Sequence, residues 1–312
     1  MNILVTGGAG FLGSHLCLKL LNIGNEVTCV DDLSTGTKAN LTSCRDFGMF
    51  RFIQADVRSF YDDNQYDQIY HLACPASPPA YRDIPLKTLD TCYNGTKTIV
   101  EMAEQGVSFL FTSTSEVYGD PIGRNHPQKE IYRGNVNTVG PRACYDEGKR
   151  VAETLLYESQ VEYNFPLRVV RLFNTYGPGM DPNDGRVVSN FVCQALRGDD
   201  LTVYGDGVQT RSLCYVDDMI DALIKTMNHD AAMIGPMNLG NPHEVTISEL
   251  ANIVLELTGS KSKIVHETLP EDDPTRRCPN IKLATSTIGW KPTTDLKSGL
   301  QKTIAWFREA IK

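Results

Sequence analysis

The sequence predicts an α/β protein: a doubly wound parallel sheet followed by a smaller C-terminal α/β domain. Three observations carry this. From Met1 to about Asn174, short apolar runs alternate with helical segments, as strand–helix–strand units do. The first unit, Met1-Asn-Ile-Leu-Val-Thr-Gly-Gly-Ala-Gly-Phe-Leu-Gly13, runs from a buried strand through a glycine-rich turn into a helix, the Rossmann-like opening. After Asn174 the alternation stops. Tyr176-Gly-Pro-Gly-Met-Asp-Pro-Asn-Asp-Gly185 is dense in turn formers and marks a domain boundary.

Within the first domain, 1–174, strands are expected at 3–5, 27–30, 50–54, 68–72, 109–112 and 167–172. Leu12, Leu16 and Leu20 lie four apart and give the first helix one apolar stripe, which Gly24 then closes as a C-cap. In the second domain, 175–312, a helix is expected at 188–196, a strand at 201–204 and a helix at 216–227. A buried strand at 236–241 is expected to return to the first domain. Thr246-Ile-Ser-Glu-Leu begins a capped helix with Leu250, Ile253, Val254 and Leu257 on its apolar side. A last amphipathic helix covers 296–311. The chain shows no internal repeat and no low-complexity segment.

Bulk properties narrow the function. A chain of 312 residues with net charge −8 and pI near 5.3 is a poor partner for nucleic acid, although locally gathered arginines can still bind a small anion. Its nine cysteines (17, 29, 44, 74, 92, 144, 193, 214 and 278) contain no C-x-x-C pair and sit largely in apolar stretches. Buried free thiols in a reducing compartment are therefore expected. The six histidines have no metal-ligand spacing, so no metal is expected. Residues 2–6 read as a core strand, leaving no room for a signal peptide, and no apolar run is long enough to span a bilayer. A soluble, cytoplasmic protein without membrane association is the expectation.

Gly7, Gly10 and Gly13 let the backbone approach a pyrophosphate at the N-terminus of the first helix. Eighteen residues beyond Gly13, the strand Glu26-Val-Thr-Cys-Val-Asp31 ends in a carboxylate, where an adenosine ribose offers its hydroxyls. A tight strand-to-helix turn alone explains the glycines, but not the acid at that distance. Asp31 and Asp32 repel a 2′-phosphate, which favours NAD over NADP.

Tyr-x-x-x-Lys sets its two side chains one helical turn apart, so that the ammonium can draw the tyrosine pKa down from about 10 toward neutrality. The spacing occurs at Tyr93…Lys97 and at Tyr145…Lys149. This chemistry also needs a hydroxyl that holds the reacting oxygen, at a strand end about thirty residues earlier. Thr112-Ser-Thr-Ser-Glu-Val-Tyr-Gly119 supplies Thr114 and Ser115 for Tyr145. Tyr93 has no such partner and reads as a position on a crossover helix.

At these residues the chain resembles the extended short-chain dehydrogenase/reductase superfamily, over essentially its whole length. Thr114-Ser115-Glu116 is similar to the UDP-glucuronate decarboxylases, also called UDP-xylose synthases. So are His71-Leu-Ala-Cys-Pro-Ala-Ser-Pro-Pro-Ala-Tyr81, Gly140-Pro-Arg-Ala-Cys-Tyr-Asp-Glu-Gly-Lys-Arg-Val-Ala-Glu153, Asp184-Gly-Arg-Val-Val-Ser-Asn-Phe191, Leu201-Thr-Val-Tyr-Gly-Asp-Gly-Val-Gln-Thr-Arg211 and Asp272-Asp-Pro-Thr-Arg-Arg-Cys-Pro279.

The resemblance implies oxidation of the uronate at C4 by NAD, loss of carbon dioxide from the resulting β-keto acid, and re-reduction to UDP-xylose. It implies that Tyr145 acts as base, Thr114 holds the C4 oxygen, Lys149 keeps Tyr145 ionised, and Glu116 and Arg277 arrange the ring and carboxylate. NAD is expected on Gly7, Gly10, Phe11, Leu12, Gly13, Asp31, Asp32, Ser34, Thr35, Gly36, Asp56, Val57, Leu72, Ala73, Thr112, Tyr145 and Lys149. The substrate, UDP-glucuronate, is expected on Tyr81, Lys87, Ser115, Asn174, Arg186, Val187, Tyr204, Arg211 and Arg277.

Two departures stand out. Gly179 replaces an arginine and Cys92 an asparagine of the family pattern. Relatives in the family pair through the Tyr-x-x-x-Lys helix and the preceding crossover helix, so a homodimer is expected, with Val151, Leu155 and Leu156 offering apolar area. A nucleotide-sugar 4-epimerase, a 4,6-dehydratase, a decarboxylase releasing the 4-ketopentose and a non-catalytic NAD-binding scaffold are the competing readings.

Overall fold

The computed structural model describes residues 1–103, 106–268 and 276–312. In chain order, β1 (Asn2–Thr6) leads into α1 (Phe11–Asn22), then β2 (Glu26–Asp31), β3 (Phe50–Gln54) and β4 (Gln68–His71). A broken crossover follows, made of α2 (Pro78–Asp83), α3 (Pro85–Asp90), a π-helical turn over Thr91–Gly95 and α4 (Thr96–Val100). Next come β5 (Ser108–Thr114), α5 (Ala143–Tyr163) and β6 (Leu167–Leu172).

The later part holds β7 (Thr175–Tyr176), α6 (Val187–Arg197), β8 (Leu201–Tyr204), β9 (Thr210–Ser212), β10 (Cys214–Tyr215) and α7 (Val216–Met227). These are followed by β11 (Met233–Leu239), β12 (Glu244–Thr246) and α8 (Ile247–Thr258). β13 (Ile264–Glu267), β14 (Arg276–Arg277), α9 (Lys282–Ile288) and α10 (Leu296–Ala310) complete the described chain.

Seven strands form one parallel sheet in the order β11-β6-β5-β4-β1-β2-β3. Strands covered on both faces need no polar alternation, and β1 shows why its run is apolar throughout. Ile3 and Val5 enter a core shared with α1, α6, α7, α8 and α10, whereas Leu4 enters the opposite core beneath α4 and α5. The strand order reverses between β1 and β4. A crevice therefore opens at the carboxyl ends of these strands.

Several boundaries differ from expectation. β5 extends to Thr114, so this residue ends the strand itself. β11 starts at Met233 rather than 236, because Gly235-Pro236 looks like a turn in sequence but is a register irregularity inside a strand paired with β6. Leu16 and Leu20 are buried as the stripe requires, Ile23 caps α1 and Gly24 follows. Thr246 and Glu249 form a full capping box on α8. Leu156 is wholly buried against the sheet and offers no surface; Val151 does. Among the described residues no helix is long and apolar enough to cross a membrane.

Candidate active site

A cavity of about 1570 Å³ lies over the carboxyl ends of β1, β2, β4, β5 and β6, between the sheet and the later part of the chain. Its first half is built by the glycine-rich turn. At Gly13 an added Cβ would lie 2.2 Å from the Gly7 carbonyl oxygen, so the turn closes only with glycine there. α1 begins at Gly10 with no side-chain cap and no acid in its first turn, which leaves its first N–H groups to an anion. The Asp31 carboxylate accepts from the Ala9 and Leu33 N–H groups at 3.0 and 2.8 Å, tying the end of β2 to this turn. Burial raises its pKa. Phe11, Leu12, Asp32, Ser34, Thr35, Gly36, Asp56, Val57, Leu72, Ala73 and Thr112 line the same half. An uncapped helix start, a turn without side chains and an acid at the neighbouring strand end fit a dinucleotide.

The second half carries the reactive side chains. Tyr145 and Lys149 stand one turn apart on α5, and both are buried. Thr114 ends β5 and lines the cavity with Tyr145. Burial pushes the Tyr145 hydroxyl well above its ordinary pKa, and the nearby Thr114 side chain only partly offsets it. The expected lowering by Lys149 is not met by these side chains alone. Its ammonium donates to the Thr112 carbonyl at 2.8 Å and lies 4.6 Å from the centre of the Phe111 ring. Tyr81 stacks on Tyr145 with ring centres 5.2 Å apart and planes 8° from parallel.

Glu116 is clamped. Its Oε2 accepts from both Arg142 and Arg277, and its Oε1 accepts from the Ser115 hydroxyl at 3.3 Å. Burial alone raises a carboxyl; here the Arg277 and Arg142 charges outweigh it and hold Glu116 below the usual range. Register explains how Arg277 arrives. β14 lies parallel to β9, with Arg277 beside Arg211, so two cations separated by sixty-six positions face the cavity together. Arg186 lines the cavity and pairs with Asp184 at 2.5 and 2.8 Å.

A model of the NAD dependent epimerase/dehydratase family matches residues 3–240. The chain belongs to this family. Among curated members, the UDP-glucuronic acid decarboxylase 1 of Xenopus tropicalis is 49% identical over 312 residues, covering 99% of this chain and 73% of that one. The epimerase/dehydratase fold recurs in a UDP-glucose 4-epimerase from Thermotoga maritima solved with UDP-glucose (TM-score 0.91, 30% identity, full coverage of both chains). It recurs again in a UDP-glucuronic acid 4-epimerase from Bacillus cereus solved with UDP-glucuronic acid and NAD (TM-score 0.89, 26% identity, 99% of this chain and 100% of that one).

Not every expected position reaches the cavity. Lys87, on α3, does not line the cavity; its Nζ is 2.6 Å from Oδ2 of Asp32, which does. Hydrogen bonds from Lys87 and Ser34 hold Asp32 low against the effect of its burial. Ser115 is buried in the turn after β5 with its hydroxyl on Glu116, and it does not line the cavity. Asn174, Val187 and Tyr204 do line it. Tyr93 sits exposed in the π-helical turn, away from the cavity. Residues 272–275 of the motif that carries Arg277 lie outside the described residues.

The two departures have local explanations. Gly179 has φ +85°, a conformation that suits glycine and that an arginine adopts only with strain. Cys92 is buried with its Sγ 3.2 Å from that of Cys74.

Three functional candidates escaped sequence reading. Arg142 precedes Tyr145 by three residues, and the Gly140-Pro-Arg run was its only signal. Asp146 adjoins Arg142 through an Nε–Oδ2 distance of 3.8 Å. His71, at the end of β4, is held between the Thr6 and Thr96 hydroxyls at 2.7 and 3.1 Å, and burial together with the Lys149 charge pushes its pKa down to about 3. A neutral imidazole in that position braces β4 next to Lys149.

Proposed function

We propose that this chain decarboxylates UDP-glucuronate to UDP-xylose and carbon dioxide, using NAD as a resident cofactor that is regenerated in each cycle. The observation that carries the reading is the buried Glu116, clamped by Arg277 beside the Thr114–Tyr145–Lys149 set. A 4-epimerase acting on a neutral sugar has no carboxylate to orient, and against a 4-epimerase acting on a uronate the support is the full-length likeness to curated UDP-glucuronic acid decarboxylases.

When bound, NAD supplies the hydride acceptor and donor for C4. The side chains do the rest. Tyr145 removes the C4 hydroxyl proton and later returns it, as a general base and acid. Thr114 holds the C4 oxygen within reach. An ammonium has three donors, of which the Thr112 carbonyl takes one; the others serve the cofactor ribose and the developing phenolate. With C4 a ketone, the C5 carboxylate leaves as carbon dioxide and its bonding electrons move onto the C4 oxygen, where Thr114 and the protonated Tyr145 stabilise the enolate. A proton taken up from solvent then adds at C5 as the C4 carbonyl re-forms, since the proton held by Tyr145 is the one returned to the C4 oxygen. Glu116 and Arg277 orient the ring and its carboxylate, while Arg211 and Arg186 face the diphosphate.

In this reading residues 1–174 with β11 form the NAD-binding part and most of 175–312 the nucleotide-sugar part. We also propose a homodimer built on α3, the turn over Thr91–Gly95 and α5, supported by exposed Leu86, Tyr93, Tyr157 and Val161 on those elements. Nine free cysteines suit a reducing compartment such as the cytoplasm.

Proton NMR of the purified protein with UDP-glucuronate and catalytic NAD tests the function. UDP-xylose formed without stoichiometric NADH is the expected result. A 4-ketopentose accumulating with NADH changes the product. UDP-galacturonate from UDP-glucuronate, or UDP-galactose from UDP-glucose, makes the protein an epimerase and overturns the proposal.

A further inference from the structure

Outside the roles already assigned, one cluster near the reactive side chains stands out for its burial. Glu116, Arg142, Asp146 and Arg277 are each only 7% exposed, so two guanidinium groups and two carboxyls are packed out of water together. Arg142 is the hub. It donates to Glu116 Oε2, the oxygen that Arg277 also reaches, and its Nε is 3.8 Å from Asp146 Oδ2. Its guanidinium carbon is also 5.8 Å from the centre of the Tyr81 ring, the ring that stacks on Tyr145. Arg142 thus touches both halves of the chemistry: the carboxylate clamp directly, and the base through one aromatic ring.

We propose that Arg142 is a positioning residue that acts through Glu116 on the decarboxylation, and not through Tyr81 on the oxidation at C4. The inference rests on the decarboxylase reading above. Three features favour the Glu116 route. A charge-assisted hydrogen bond in a buried site is directional and strong, whereas a cation at 5.8 Å from a ring centre is weakly coupled to it. Arg142 and Arg277 approach one oxygen from elements 135 residues apart, so removing either leaves that oxygen with a single guanidinium, and the carboxylate otherwise held only by the 3.3 Å bond from Ser115 to its other oxygen. Asp146 competes little for Arg142. Burial and the Glu116 charge push its carboxyl up to about 7, and its Oδ1 is buried with no hydrogen-bond partner among the described residues.

The test is a double-mutant cycle on UDP-glucuronate turnover, using Arg142→Gln and Arg142→Lys against Glu116→Gln, with Tyr81→Leu, which removes the ring, as the second partner. Arg142→Gln is expected to lower kcat by at least thirtyfold while KM changes less than threefold. Arg142→Lys, which keeps the charge but loses the fork, is expected to recover part of that loss. In the Glu116→Gln background, Arg142→Gln is expected to cost less than a further threefold, whereas with Tyr81→Leu the effects multiply. NADH formation in the first turnover is expected to persist in Arg142→Gln. Multiplying effects with Glu116→Gln, a rise in KM at unchanged kcat, or loss of first-turnover NADH each overturns the proposal. If Arg142→Gln does not fold, the same cycle run with Arg142→Lys decides. Wild-type turnover is measured alongside: its absence rejects the decarboxylase reading, while its presence with the wrong coupling rejects only the role of Arg142.

Discussion

Tyr145 and Gly13 make the sharpest single-residue tests. Replacing Tyr145 with Phe removes the proposed base and leaves the ring stack on Tyr81, so turnover is expected to fall about 10²–10⁴-fold. NADH fluorescence titration should show cofactor affinity nearly unchanged. Gly13→Ala acts in the opposite way. The new Cβ meets the Gly7 carbonyl at 2.2 Å, so the turn must open, and cofactor affinity is expected to drop at least tenfold in the same titration. The placement of both residues was legible because the spacing is fixed and short: Tyr-x-x-x-Lys along one helix face, and glycines at 7, 10 and 13. Arg142 was not. Its meaning lies in Glu116, twenty-six residues back, and in the register that brings Arg277 beside Arg211, neither of which any local spacing encodes.

Elements carry their own tests, and α8 gives a simple one. Its start is closed by a reciprocal Thr246–Glu249 box with bonds of 2.9 to 3.1 Å. Thr246→Ala is expected to cost about 1 kcal/mol of stability, read from chemical denaturation. The end of β4 gives a pH test. His71 titrates near 6.5 when unfolded and at about 3 in the native protein. Below pH 6.5 the unfolded chain takes up a proton that the native chain refuses. Stability is therefore expected to fall by roughly 1.4 kcal/mol per pH unit from this group as the pH drops from 6.5 toward 3. Denaturant midpoints from pH 7 to pH 5 should be flatter for His71→Gln than for the wild type. Elements such as α8 were legible because cap and apolar period agree. β11 was displaced because Gly235-Pro236 has the composition of a turn, and only pairing with β6 reveals a strand there.

For the molecule as a whole, the proposed dimer is open to a direct test. Tyr157 and Val161 are 52% and 62% exposed one turn apart on α5. Changing both to Glu is expected to halve the mass measured by sedimentation equilibrium; an unchanged mass removes this face from the interface. The parallel sheet was readable from strand–helix alternation, but the small strands β9, β12 and β14 were not, since two or three residues leave no period. β14 sets a timetable as well as a geometry. The glycine-rich turn and the Tyr-x-x-x-Lys helix are complete within the first 163 residues, whereas the second arm of the Glu116 clamp is delivered at position 277 by a two-residue strand. Closing so large a loop is entropically late. During refolding the protein should therefore gain its dinucleotide site before its ability to release carbon dioxide. A newly made chain is then expected to pass through a stage in which it binds dinucleotide but does not yet turn over, which stopped-flow refolding monitored by NADH fluorescence and by activity would show.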